Sequence, residues 1–155
     1  MRSFAVVLSI AGAAYSPHLL AVGAGIKPPE LKITVTQTPD PVRLGQVAEV
    51  SVALAPPAGI TLNRHPGITL RIPKPPPGVS LQSSETFVGV RKPIENPAEF
   101  PFKTIDPLKL KATATAGASG ERILEGTLSF VFCVKASGYC APTQMKTRIP
   151  FKVAG

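Results

Sequence analysis

Leu124-Glu125-Gly126-Thr127-Leu128-Ser129-Phe130-Val131-Phe132-Cys133-Val134 is the stretch whose pattern decides the fold. Leu128, Phe130 and Phe132 recur at every second position, so an extended chain carries them all on one face. Thr127, Ser129, Val131 and Cys133 fall on the opposite face. This is the longest strand the pattern predicts, with one side turned to a core. It runs into Phe132-Cys133-Val134-Lys135-Ala136-Ser137-Gly138-Tyr139-Cys140-Ala141-Pro142, which contains both of the chain's two cysteines. A last strand is expected over Thr147 to Val153, with Ile149, Phe151 and Val153 inward. Pro150 cannot donate to a ladder, which assigns that strand to an edge or turns its backbone nitrogen to solvent.

Working upstream, Leu108-Lys109-Leu110-Lys111-Ala112-Thr113-Ala114 alternates just as clearly, and Gly117-Ala118-Ser119-Gly120 turns the chain into the long strand. Leu31, Ile33 and Val35 share a face of the first strand, and Pro39-Asp40-Pro41 ends it. Val50, Val52 and Leu54 share a face of the second, over Val47 to Ala55. Pro56-Pro57-Ala58-Gly59 turns into Ile60-Thr61-Leu62-Asn63. Ile68 to Ile72 follows after Arg64-His65-Pro66-Gly67, and Val79 and Leu81 resume after Lys74-Pro75-Pro76-Pro77-Gly78. Between Gln82 and Pro107 prolines leave mostly loop, with one or two short edge strands. Eighteen prolines and thirteen glycines in 155 residues suit short strands and turns rather than helices. The expected fold is all-β: an immunoglobulin-like β-sandwich of about seven to nine short antiparallel strands.

Residues 1–24 read as a signal peptide: Met1-Arg2-Ser3 is a charged start and Phe4 to Ala14 an apolar run. Val22 and Ala24, or Ala11 and Ala13, supply the small residues of alternative cleavage sites, and the later pair suits the apolar stretch up to Gly25. Pro17-His18 interrupts the run before it reaches the ~20 apolar residues that a membrane span needs. Residues 25–155 are then one domain, periplasmic or secreted, without a membrane span and monomeric. Export places the cysteines in an oxidising compartment.

The net charge is +8, but the basic residues are scattered and lack the clustered, aromatic-interleaved pattern of a nucleic-acid surface. No nucleic-acid partner is expected; a solvated basic face suits anionic envelope material or an acidic partner. Catalytic constellations are scarce. After the leader, His65 is the one histidine and stands in a turn, where a solvated loop residue is the plain reading. Two cysteines and one histidine fall short of a four-coordinate zinc site. Cys133, Cys140 and Met145, with His65, would suit soft copper(I), although their spacing follows no metal-binding pattern. No metal or other cofactor is expected.

The cysteine pair remains. A loop this short restrains little of the unfolded chain and would stabilise the fold by only about 2–3 kcal/mol. The alternation carries Cys133 away from the core face, towards where a partner's thiolate would have to reach it. Spacing by itself does not separate a redox-active pair from a structural bridge.

Cys133-x6-Cys140-Ala141-Pro142, closing one strand and opening the last, resembles the N-terminal periplasmic domain of the thiol:disulfide interchange protein DsbD and the related stand-alone disulfide bond corrector domains. Upstream, Pro57-Ala58-Gly59-Ile60-Thr61-Leu62-Asn63, Pro77-Gly78-Val79 and Glu85-Thr86-Phe87-Val88-Gly89 resemble, in order, two turns of that family and the cap segment covering its cysteines. The resemblance spans residues 31 to 153. It implies that Cys133 and Cys140 are the catalytic pair, cycling between dithiol and disulfide. It also implies that Phe87 is a shielding aromatic and Glu85 the nearest candidate for a proton-handling acid. The implied partners are protein thiols and disulfides of a membrane reductase or a thioredoxin-like protein. The chain departs from the family in a cysteine spacing one residue longer, in Thr86 for a second acid, and in Thr61 and Asn63 where some members carry aromatics. Two other functions fit the residues: a non-catalytic secreted binding module with a structural disulfide, and a copper-handling accessory domain.

Overall fold

The computed structural model describes residues 26–155, so the expected signal segment, residues 1–24, lies outside the described residues. Among the described residues, nine strands form two antiparallel sheets: β1 (Lys32–Thr38), β2 (Val47–Ala55), β3 (Ile60–Leu62), β4 (Ile68–Arg71), β5 (Val79–Leu81), β6 (Glu85–Val88), β7 (Leu108–Ala114), β8 (Gly120–Val134) and β9 (Cys140–Val153). One sheet has the order β1-β2-β7-β5. The other is built around β8, with β9 along one edge, β3 and β4 end to end along the other, and β6 outside β4. The expected all-β sandwich is what forms. A single turn of 3-10 helix, Pro97–Glu99, sits in the loop before β7.

The core lies between the sheets. From β8 come Leu124, Leu128, Phe130 and Phe132, all buried, as the alternation predicts; β2 and β7 supply Val50, Val52, Leu108 and Leu110 from the facing sheet. Burial of each such side chain stabilises the fold by about 1.5–3 kcal/mol. Gly126 takes a core-facing position in β8 because β4 comes close there: a Cβ on it would lie 2.9 Å from the Leu70 side chain and 3.1 Å from the Arg71 carbonyl oxygen.

Several strand ends differ from expectation by a residue or so, and two strands start well before the expected position. The long strand begins at Gly120, not Leu124, and the last begins at Cys140, not Thr147. Pro142, Thr143 and Gln144 break the apolar alternation, yet each stays in register with β8 (Val131↔Pro142, Phe130↔Thr143, Ser129↔Gln144). The reason is hydrogen-bond direction. Val134 N donates to Tyr139 O at 2.8 Å, so along β9 the backbone N of each even-numbered residue points away from β8. Pro142 and Pro150 both occupy even positions, where a missing N–H costs the ladder nothing. Pro150 therefore marks an edge strand, as expected, and Pro142 marks the same edge.

Along the other edge of β8 the pairing is interrupted. Asn63 N donates to Val131 O at 2.9 Å, and the Thr69↔Ser129 register brings Gly67 level with the same Val131. Arg64, His65 and Pro66 are therefore looped out of the ladder. The excursion is braced by Val90 N donating to Arg64 O at 2.7 Å and by Phe102 N donating to Leu62 O at 2.8 Å. Gly67, with φ +91°, closes it; a Cβ there would meet Val88 O at 2.5 Å and the Phe87 ring at 2.6 Å.

Candidate functional site

Cys133 ends β8 and Cys140 begins β9, and they are register partners joined by a disulfide. Their Cα atoms are 4.1 Å apart, as expected of the closer, non-hydrogen-bonded type of antiparallel pair, because the Val134–Tyr139 hydrogen bond belongs to the next rung. The bridge thus spans the last rung but one of the hairpin. The loop is held by Gly138 N donating to Val134 O at 2.8 Å and Lys135 N donating to Gly59 O at 2.8 Å. Tyr139 docks it on the core, its ring edge-on to Phe132 with centroids 6.4 Å apart.

The two sulfurs have unlike surroundings. Cys133 is half-buried; Cys140 is exposed. β3 flanks Cys133, with Thr61 as its register partner, whereas Cys140 lies on the free edge of β9. The Asn63 side-chain amide oxygen lies 3.4 Å from Cys133 Sγ, and the Gly138 carbonyl oxygen lies 3.7 Å from Cys140 Sγ. A disulfide sulfur carries no proton, so neither contact is a hydrogen bond while the bridge is closed.

The outer face of the β8 sheet carries the rest. Val131, Ser129 and Thr69, with Gly67, Pro142 and Gln144, line a shallow hollow of about 340 Å³ next to the bridge. Phe87 pairs with Thr69, and its ring rests against Gly67 on the flank of this hollow. The Arg91 guanidinium stacks 4.2 Å from the ring centroid. Glu85 holds Arg91 at 3.4 Å and Arg71 at 3.8 Å. Its register partner Arg71 lies opposite Thr127, six residues along β8 from Cys133, roughly 20 Å at strand rise. Phe87 is thus brought to the same face as the cysteines, and Glu85 is placed at the far end of that face.

The residues named for copper do not converge. Met145 and Cys140 are an odd number of positions apart on β9, hence on opposite faces, and Met145 packs on the core. His65 Nδ1 lies 3.1 Å from Val90 O. Among the described residues, no three of His, Cys, Asp and Glu are grouped to hold a metal ion. None of the helices described there is long and apolar enough to cross a membrane.

Asn63, which the resemblance marks only as standing where some members of the family carry an aromatic, is in contact with Cys133. Its signal was parity: it stands one residue past Leu62, which is buried, and so shares the outer face with Thr61 and Cys133. No family model matches this chain, and no curated protein matches it either.

Proposed function

We propose that this chain is an exported thiol–disulfide exchange domain, akin to the N-terminal domain of DsbD, in which Cys133 and Cys140 pass electron pairs to or from protein thiols. The observation that carries this reading is the position of the bridge: on the outer face of the sandwich, with Cys140 exposed on the free edge strand. Exchange requires a thiolate to reach one sulfur along the S–S axis. β3 walls the approach to Cys133, while among the described residues no strand lies beyond β9 at Cys140.

The step balances as follows. A partner thiolate attacks Cys140 Sγ, the Cys133–Cys140 bond breaks, and its electron pair leaves on Cys133 Sγ. A second thiolate of the same partner then attacks its own mixed-disulfide sulfur and releases Cys140. The partner dithiol becomes a disulfide, and the domain becomes a dithiol after taking two protons from water. The reverse sequence delivers the electrons to an acceptor disulfide. Phe87 shields the Gly67 flank of the hollow through which a partner segment approaches. Glu85 serves it at one remove, holding Arg91 over the ring.

Equilibration against defined ratios of oxidised and reduced dithiothreitol, followed by mixing with a reduced thioredoxin-like protein, tests the reading. A midpoint above about −300 mV and exchange within minutes are expected. A midpoint well below that value together with no exchange would identify an inert bridge and refute the proposal.

A further inference from the structure

We infer that Asn63 is a catalytic residue of bridge opening: its side-chain amide turns to donate Nδ2–H to Cys133 Sγ and stabilises that sulfur as the leaving thiolate. The inference rests on the exchange reading for its biological use, but its chemistry concerns any thiolate that opens the bridge.

Asn63 Oδ1 lies 3.4 Å from Cys133 Sγ. While the bridge is closed the sulfur has no hydrogen to offer. When the bond breaks on attack at Cys140, negative charge develops on Cys133 Sγ, beside the amide oxygen. A half-turn of the amide replaces that oxygen by an N–H of the same size at the same place. The repulsion becomes a charge-assisted hydrogen bond. The base of the side chain does not have to move, because Asn63 N is tied to Val131 O at 2.9 Å and the residue bridges Pro101 on its other side. With the base held, the reorganisation needed to present the donor is confined to the one torsion that turns the amide, a smaller rearrangement than water would have to make.

Cys140 has the opposite surroundings. Its Sγ faces the Gly138 carbonyl oxygen at 3.7 Å, which only accepts and so favours the protonated thiol. The two sulfurs are thereby given different tasks: Cys140 to be attacked and to carry the mixed disulfide, Cys133 to leave as thiolate. In the reverse direction the same hydrogen bond keeps Cys133 deprotonated for its resolving attack on Cys140. Charged groups are few around Cys133. β3 has none, β9 has none before Lys146, and the loop offers Lys135, exposed and two residues on, while Arg64 is turned to Glu99 at 3.0 Å. The amide is the polar side chain in contact with the sulfur.

The test uses the Cys140→Ser chain, in which Cys133 is a free thiol whose ionisation is followed by thiolate absorbance against pH. Asn63→Ala is expected to raise the apparent pKa by about one unit, the effect of one hydrogen bond to a charged, half-buried group. Asn63→Asp, isosteric and tolerant of the same fold, raises it further by placing a carboxylate beside the thiolate. Lys135→Ala moves it less than Asn63→Ala, and its effect fades in high salt. In the chain with both cysteines, Asn63→Ala slows reduction by dithiothreitol several-fold, since a poorer leaving thiolate departs more slowly. A pKa unmoved by Asn63→Ala overturns the inference, whatever Asp does. An unmoved pKa in a domain that still exchanges with the thioredoxin-like protein removes the role of Asn63 and leaves exchange standing. A raised pKa in a domain inert towards that protein supports the role of Asn63 and removes the exchange reading.

Discussion

Reducing the Cys133–Cys140 bridge is expected to cost the fold little. The cysteines are seven positions apart, so the closed loop holds eight residues. Chain-entropy reasoning for eight residues gives about 2.5 kcal/mol at 25 °C. That is a ceiling, because the ends of the loop are already register partners in a hairpin. Val134–Tyr139 hydrogen bonding and the packing of Tyr139 on Phe132 remain after reduction. The β8–β9 ladder runs over fourteen paired positions, anchored far from the bridge by Leu124, Ile149 and Phe151, all fully buried. Urea unfolding of the oxidised chain, and of the same chain held reduced, should therefore differ by about 1–2.5 kcal/mol. The m-value should be nearly unchanged, since so small a loop barely alters the surface exposed on unfolding. By the thermodynamic cycle, the same energy is what folding adds to the stability of the bridge. At about 30 mV per 1.4 kcal/mol, 2.5 kcal/mol lowers its potential by no more than about 55 mV relative to the unfolded chain. A loss above about 4 kcal/mol, or unfolding on reduction alone, would refute this account and make the bridge a staple.

Three further outcomes follow from the packing. Gly67→Ala places a Cβ 2.5 Å from Val88 O at φ +91°, and backbone cannot yield as a side chain can, so a loss of about 2–4 kcal/mol is expected in urea unfolding; a loss under 1 kcal/mol would contradict the close approach. Phe132→Ala empties a fully buried site and removes the partner of Tyr139, with an expected cost of about 3–5 kcal/mol by thermal or urea unfolding; a cost within 1 kcal/mol would mean the ring is not core. Pro142→Val with Pro150→Val restores two outward N–H groups on the β9 edge, and light scattering should detect concentration-dependent association absent from the parent chain; equal scattering would show that the prolines do not guard the edge.

The sandwich was legible because its strands obey a period of two and its turns carry proline and glycine. β2 was read over Val47 to Ala55, and Val47–Ala55 is the strand that forms. The start of β9 was not legible, since Pro142, Thr143 and Gln144 look like loop until hydrogen-bond direction is known. Parity alone turned Cys133 off the core face. It could not reveal that Cys140 would be the more exposed of the two, because that depends on β3 flanking β8 at Cys133 while, among the described residues, β9 is flanked only at its far end, where Val42 bridges Val153. Glu85 and Phe87 are close in sequence, but the antiparallel register of β6, β4 and β8 carries Glu85 away from the bridge. Parity gives the face of Asn63, but its approach to Cys133 depends on β3 pairing with the end of β8, which sets Thr61 opposite Cys133. Local pattern does not encode that pairing.

The free edge of β9 links the fold to the proposed chemistry. An edge strand invites pairing with another chain, and Pro142 and Pro150 remove two of the outward donors that would pair. The same vacancy is what an attacking thiolate needs at Cys140, because a strand laid along β9 would stand across its line of approach. On the opposite side of the bridge the requirement is reversed. A leaving thiolate gains from partial shelter and from a nearby hydrogen-bond donor; β3 supplies the shelter at Cys133, and the amide of Asn63 is the inferred donor. One disulfide placed across the last rung but one of a hairpin thus meets two environments that a bridge inside the core would not. An inert staple has no use for that asymmetry, and it would hold the hairpin equally well with its two sulfurs in matched surroundings.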